Sequence, residues 1–386
     1  MLVGVPKEIK NHEYRVGLTP ENVSEIVGMG HKVLVQTNAG EGIQASDEDY
    51  KNAGAEIAQT AEEIFKAADM IIKVKEPQIC ERKMLREGQI LFTYLHLAPD
   101  APQTKDLVDS GAICIAYETI TDDKGGLPLL KPMSQVAGRL SIQAGATALQ
   151  KATGGAGILL GGVPGVAPAK VTVIGGGVVG ENAIQMAMGL GAEVVVLDRN
   201  VDVLERLSNN YGSRLKTIYS TKAALEEHVT SSDVVVGAVL VVGAAAPRLV
   251  TKDMLGRMKK GAVIVDVAID QGGCFETSKA TTHSEPTYIV DNIVHYCVAN
   301  MPGAVPKTST YALNNATLPF IKQILSKGYK RALLDNPHFL NGLNVIDGKV
   351  TCQSVAKDLG YEFHNPEVVL LGEDDPMVAK IAKISA

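Results

Sequence analysis

The chain has 386 residues, room for two or three domains at about 150 residues each. Hydrophobic residues make up 46% and charged residues 21%, a globular balance that excludes wholesale disorder. Lys plus Arg is 37 against 43 for Asp plus Glu, a net charge of -6, and that argues against nucleic acid as the main partner, because phosphate binding wants a basic face.

Targeting and redox signals point the same way. The five cysteines (Cys80, Cys114, Cys274, Cys297, Cys352) are odd in number and widely spaced. They form no C-x-x-C or zinc pattern, so reduced thiols in a cytoplasmic protein and no metal site are expected. The opening MLVGVPKEIKNHEYR lacks the form of a signal peptide. The longest apolar stretch, 154–169, is broken by Gly and Pro, so no membrane span is expected.

In chain order, apolar runs near 2–6, 32–36, 69–75, 89–96 and 112–118 predict strands, short and rich in Val and Ile. Helices are expected between them, at Thr19-Pro20-Glu21 onward and near 46–53, 60–68, 77–86 and 101–110. The first has a Thr N-cap and Pro at its first position. Residues 134–152 predict one long helix, and a Gly-rich loop follows at 154–168. From 171 the order is strand, glycine turn, helix, strand. Further alternation is expected: helix 201–210, strand 215–219, helix 221–228, strand 233–237, helix 251–259 and strand 262–269. A last long helix is expected at 308–328. Strands alternating with helices predict parallel sheets with right-handed crossovers, an α/β fold. The predicted organisation is a first domain over 1–128, completed by 307–386, with a Rossmann-like dinucleotide domain inserted at 129–306.

The insertion carries Gly175-x-Gly177-x-x-Gly180 between the run Val171–Ile174 and a helix rich in small residues. In this context Gly175 permits the tight turn, Gly177 lets the backbone approach a pyrophosphate and Gly180 lets helix and strand pack closely. The helix start offers N–H groups to phosphate. A second strand ends in Asp198, 18 residues beyond Gly180, where a carboxylate accepts hydrogen bonds from a ribose. A 2′-phosphate there would meet like charge, so NAD is expected over NADP, with Arg199 as a moderating cation.

Ligands in open parallel sheets bind beyond the carboxyl ends of the strands. The polar residues expected there are Lys75, His96 and Asp270, with Arg15 in the loop after the first strand. Arg15 and Lys75 suit a carboxylate, and His96 suits proton transfer near neutrality. Asp270 suits a developing cation or a proton relay. Together they predict a small amino or hydroxy acid substrate in a cleft between the domains. Each also has a plainer reading. Lys75, close to Lys73, fits a solvated sheet edge and Arg15 a surface charge. His96, between Leu95 and Leu97, fits a satisfied core histidine, and Asp270 before Gly272-Gly273 fits a turn former.

The blocks VGVPKEIKNHEYRVGLTP, KVKEP at 73–77, LFTYLHLA at 91–98, GGVPGVAPAKVTVIGGGVVG at 161–180, VDVAIDQGG at 265–273 and NMPGAVPKTST at 300–310 closely resemble the alanine dehydrogenase family. Its relatives include the nicotinamide transhydrogenase subunit. The resemblance spans nearly the whole chain. It implies NAD-linked, reversible oxidative deamination of L-alanine to pyruvate and ammonia by a homohexamer of two-domain subunits. It implies that Arg15 and Lys75 hold the substrate carboxylate and the pyruvate oxygen, and that His96 and Asp270 are the acid/base groups. On the cofactor side it implies Ser134 beside Met133, Gly175, Gly177, Val178, Val179 and Gly180 at the pyrophosphate, and Asp198 on the ribose. Ser220 is implied near the adenine, with Val239 and Leu240 flanking the cofactor. Val267, Ala268, Ile269, Asp270, Lys279, Val298, Ala299, Asn300 and Met301 are implied on the nicotinamide side. A transhydrogenase-like nucleotide-binding protein, a nucleotide sensor, or activity on glycine and glyoxylate are the alternatives.

Overall fold

The computed structural model describes residues 1–239 and 246–372. The chain forms two compact units, Met1–Pro132 with the segment from Val305 onward, and Met133–Ala304. The strands in chain order are β1 (Leu2–Val5), β2 (Lys32–Gln36), β3 (Glu56–Ala58), β4 (Met70–Ile72), β5 (Ile90–Thr93), β6 (Ile113–Ala116), β7 (Lys170–Ile174), β8 (Glu193–Asp198), β9 (Leu215–Tyr219), β10 (Val234–Gly237), β11 (Val263–Asp266), β12 (Thr287–Val290), β13 (Ile293–Tyr296), β14 (Leu343–Ile346) and β15 (Lys349–Val350).

The first unit holds an eight-stranded sheet in the order β15-β14-β6-β5-β4-β1-β2-β3. Strands β1 to β6 pair in parallel, and β14 and β15 add an antiparallel edge. The second unit has seven strands in the order β12-β13-β11-β10-β7-β8-β9, parallel except for β12. Both are doubly wound α/β sheets, as the alternation predicts. Every residue of β4, β5, β6, β10 and β11 is buried. Continuous Val/Ile runs suit strands covered on both faces.

The first predicted helix forms at Pro20–Gly28, with the Thr19 hydroxyl accepting the N–H of Asn22 and Pro at its start. The last long helix forms at Pro306–Lys327. It joins the first unit through Asn314, whose Oδ1 accepts the N–H of Thr19 at 2.8 Å and whose carbonyl accepts from Asn22 Nδ2 at 3.2 Å.

Several elements differ from expectation. The strand expected over 262–269 ends at Asp266, because the Asp266 carboxylate accepts the N–H of Ala268 and turns 267–271 into a 3-10 helix. The strands expected at 69–75 and 89–96 stop at Ile72 and Thr93. The helix expected at 77–86 shrinks to Ile79–Arg82, and that at 251–259 to Lys252–Gly256. Two hairpins were not anticipated, β12–β13 and β14–β15. Their turns are Asp291-Asn292 and Asp347-Gly348, with both central residues of each at positive φ. That is the type I′ pattern, and Asp-Gly between apolar runs was a legible signal for it.

Candidate active site

In the second unit the fingerprint is built by close approaches. Gly175 has φ +98, and a Cβ there would lie 2.7 Å from the Ala238 carbonyl oxygen. A Cβ on Gly180 would lie 1.8 Å from the Gly175 carbonyl oxygen, so only glycine lets the helix Val178–Gly189 start this near β7. At Gly177, the N-cap, a Cβ would meet nothing within 4 Å, and that open approach belongs to the face where a ligand can near the backbone. Gly177 offers no side-chain cap, so the first-turn N–H groups, including those of Val178 and Val179, are suited to a phosphate. Asp198 ends β8. Its Oδ2 accepts the N–H of Gly176 at 2.6 Å and its Oδ1 that of Asn200 at 2.8 Å. Each carboxylate oxygen keeps a further lone pair for a ribose hydroxyl. The Ser220 N–H binds the Asp198 carbonyl at 2.9 Å, which brings Ser220 beside it. These features fit a dinucleotide.

Asp270 is exposed on the turn Val267–Gln271, while Ala268 and Ile269 are buried and Val267 is partly buried. Ser134 and Val239 are partly buried and Lys279 is exposed. Val298 and Met301 are buried core side chains, so a ligand could reach them through backbone alone. Asn300 lies between them at φ +61, and the Ala299 N–H binds the Thr281 carbonyl. Leu240 lies outside the described residues.

In the first unit, Arg15, Lys75 and His96 follow the carboxyl ends of β1, β4 and β5, which are neighbours in the sheet. Arg15 is buried, not a surface charge. Glu13 grips it with both oxygens, Nε to Oε1 at 2.7 Å and Nη2 to Oε2 at 2.6 Å. Burial works against the guanidinium charge, but the Glu13 bonds and charge outweigh it and strengthen protonation. Arg15 and Glu13 line a cavity of 540 Å³ with Glu8, Lys10, Asn11 and His12. Neither Lys75 nor His96 is among its described lining residues.

The segment carrying Lys75 is held by Glu8. Glu8 Oε1 accepts the N–H groups of Val74 at 2.6 Å and Lys75 at 3.3 Å. Its other oxygen takes Lys73 Nζ at 2.9 Å, and Lys73 also donates to Glu81 at 2.8 Å. Lys73 is fully buried; burial works against its charge, and the two carboxylates outweigh that and favour the charged form. Lys75 itself is only partly buried. The Thr93 hydroxyl donates to the Lys75 carbonyl at 2.9 Å, which ties the ends of β4 and β5 together.

His96 is not a core histidine. Its side chain is 47% exposed, and its backbone is left-handed at φ +50, an uncommon state for a residue with a Cβ. Glu118 holds that shape. Its Oε1 accepts the His96 N–H at 2.6 Å, and both oxygens lie 3.2 Å from the Leu95 nitrogen. The ring lies parallel to Tyr94, centroids 5.9 Å apart, with Nδ1 3.9 Å from Glu118 Oε1. Glu8, Glu13 and Glu118 were missed from sequence, because isolated glutamates in loops have no periodicity to mark them.

The alanine dehydrogenase/PNT N-terminal domain model matches residues 4–137, and the corresponding C-terminal domain model matches residues 141–353. The chain belongs to the alanine dehydrogenase/PNT family. It is 63% identical over 363 residues to the alanine dehydrogenase of Halomonas elongata, covering 94% of this chain and 98% of that one. It is 53% identical to the alanine dehydrogenase of Mycolicibacterium smegmatis at the same coverage. A solved L-alanine dehydrogenase superimposes with a TM-score of 0.91 at 48% identity, over 93% of this chain and 99% of that chain. A transhydrogenase from Sinorhizobium meliloti follows the same fold at a TM-score of 0.80 and 25% identity, over 91% and 100%.

Proposed function

We propose that the chain is an NAD-dependent L-alanine dehydrogenase (EC 1.4.1.1) that converts L-alanine, NAD and water reversibly to pyruvate, ammonium, NADH and a proton. The family and the similarity to named alanine dehydrogenases support an oxidoreductase acting on alanine. The observation that carries the reading is the pairing of two site types in one chain. One unit has the glycine cradle with Asp198, and the other has Arg15, Lys75 and His96 on three adjacent strand ends.

NAD, when bound, supplies the acceptor for the hydride leaving the substrate Cα. The cradle 175–180 would take its pyrophosphate, and Asp198 its ribose; the carboxylate disfavours a 2′-phosphate. Ser134, Ser220, Val239, Leu240, the turn 267–270, Lys279 and the segment 298–301 would complete its surroundings.

Arg15, stiffened by Glu13, holds the substrate carboxylate. Lys75 binds the oxygen that becomes the pyruvate carbonyl, and its fixed charge favours that oxygen as negative charge grows there. His96 accepts a proton from the water that adds to the imine carbon, then returns one as ammonia leaves. Asp270 assists that transfer and stabilises the cationic imine. The same resemblance supports a homohexamer, which sedimentation in solution tests.

The test is absorbance at 340 nm with NAD and L-alanine, D-alanine, glycine, L-serine or L-lysine at alkaline pH. NADH formation with L-alanine, and little with L-lysine, is expected. Tight NADH binding with no amino acid oxidised would overturn the reading in favour of a transhydrogenase-like or sensing protein.

A further inference from the structure

Asp270 stands on a turn rather than a strand, so something else must fix its position. The turn begins where β11 ends, at Asp266, which is fully buried and lies opposite Gly237 of β10. The Asp266 carboxylate reaches both arms of the loop. Its Oδ1 accepts the N–H of Ala268 at 3.1 Å, on the outgoing arm. Its Oδ2 accepts the N–H of Cys274 at 3.0 Å and the Ser278 hydroxyl at 2.5 Å, on the returning arm. The Cys274 thiol lies 3.7 Å from Oδ1. Between these anchors, Gly272 N–H binds the Ile269 carbonyl and Gly273 N–H that of Ala268. Asp270 is exposed on this knot.

The packing leaves no slack. A Cβ at Gly273 would lie 2.5 Å from Asp266 Oδ2, at φ +78. A Cβ at Gly237 would lie 2.2 Å from Cys274 Sγ. Burial pushes the Asp266 carboxyl up, against the pull of its donors. A buried carboxylate is costly unless fully hydrogen-bonded, and Ala268, Cys274 and Ser278, which donate to this one, are neutral donors of one loop. Bonds to an ionised acceptor are shorter and stronger than neutral ones, so the return on this burial is a loop of fixed shape. The Asp266 carboxylate is engaged by donors of the loop itself.

We propose that Asp266 is a positioning residue for Asp270, clamping the two arms of the loop 267–278 so that the Asp270 carboxylate is held in its working place. The inference rests on the role proposed above for Asp270.

A double-variant cycle tests it, with hydride transfer read at 340 nm in single turnovers at enzyme excess, so that slow variants stay measurable. Asp266→Asn should lower the rate about 100-fold, the scale of a 1 Å misplacement. Ser278→Ala, which removes one donor and keeps the fold, should lower it about fivefold to tenfold. ADP-ribose affinity, which reads the fingerprint alone, should stay within about threefold. Each change made in an Asp270→Asn background should cost less than about threefold more, because its target is already gone. Cys274 should also react faster with a thiol reagent in Ser278→Ala, read by peptide mapping. Additive losses in the double variants, or wild-type rates in both single variants, overturn the proposal. If Asp266→Asn does not fold, the Ser278→Ala pair decides alone. A near wild-type rate in Asp270→Asn itself is a separate result: it removes the role of Asp270, and the clamp loses its object.

Discussion

The two units share a sheet and differ in the loops at its carboxyl end. In each, the first six parallel positions run third, second, first, fourth, fifth, sixth. In the second unit the connection after the first strand of that order is a three-residue glycine turn, 175–177, leading straight into a helix. In the first unit the equivalent connection is the long loop 6–19, which brings Glu8, Glu13 and Arg15 to the sheet end. The second unit thus offers backbone N–H groups, suited to a phosphate whose shape is constant. The first unit offers paired side chains, suited to a small carboxylate. The sheet decides where a ligand goes, and the loop length decides whether backbone or side chain meets it.

The sharpest way to test this division is to break each half separately. His96→Ala should lower kcat with L-alanine by about 10²–10⁴-fold, the range for a lost general acid or base. NADH affinity, measured by fluorescence titration, should hardly change. Loss of NADH binding in that variant would show that the side-chain loops also make the nucleotide site. Gly180→Ala is the converse. Its Cβ would fall 1.8 Å from the Gly175 carbonyl oxygen, so the helix must withdraw and NADH affinity should fall about 100-fold, some 2.7 kcal/mol. Unchanged affinity would remove the cradle from the site.

Asp198→Ala sharpens the nucleotide half further. Removing the carboxylate should shift the NAD-over-NADP preference by about tenfold toward NADP, near 1.4 kcal/mol. Ratios of kcat/KM for the two cofactors read it, and an unchanged ratio would take Asp198 out of discrimination.

The smallest effect concerns the loop of the first unit. Lys10 pairs with Glu76. Burial raises the Glu76 carboxyl, but the Lys10 bond and charge outweigh it and hold it below its usual range. A carboxylate with a lowered folded value stabilises above its unfolded pKa and loses that contribution as pH falls through the folded value. Lys10→Met should therefore cost under about 1 kcal/mol at neutral pH and nothing at strongly acid pH. Urea unfolding across pH 2–7 reads the difference, and an equal loss at both ends would assign Lys10 a packing role.

Some of this was legible in the residue order alone. Val/Ile runs set between helical stretches can satisfy their backbone and bury both faces in few ways, so the doubly wound α/β class followed from composition and period. The fingerprint was legible because glycines are demanded by sterics at fixed spacing: a Cβ at Gly180 has nowhere to go. Asp198 was legible because it ends the next strand. Strand ends were read less well. Lys75, His96 and Asp270 all lie past their strands, on backbone shaped by other residues. His96 turns left-handed because Glu118, 22 residues on, takes its N–H. Lys75 is set by Glu8, 67 residues before it. Asp270 is set by a carboxylate that local pattern reads as the middle of a strand. The sequence by itself determined the alternation of strands and helices and the glycine spacing after β7, because those depend on neighbours along the chain. Only the tertiary structure decided which carboxylates brace the polar residues at the sheet ends, because a hydrogen bond across strands depends on distance in space, and no spacing in the chain encodes it.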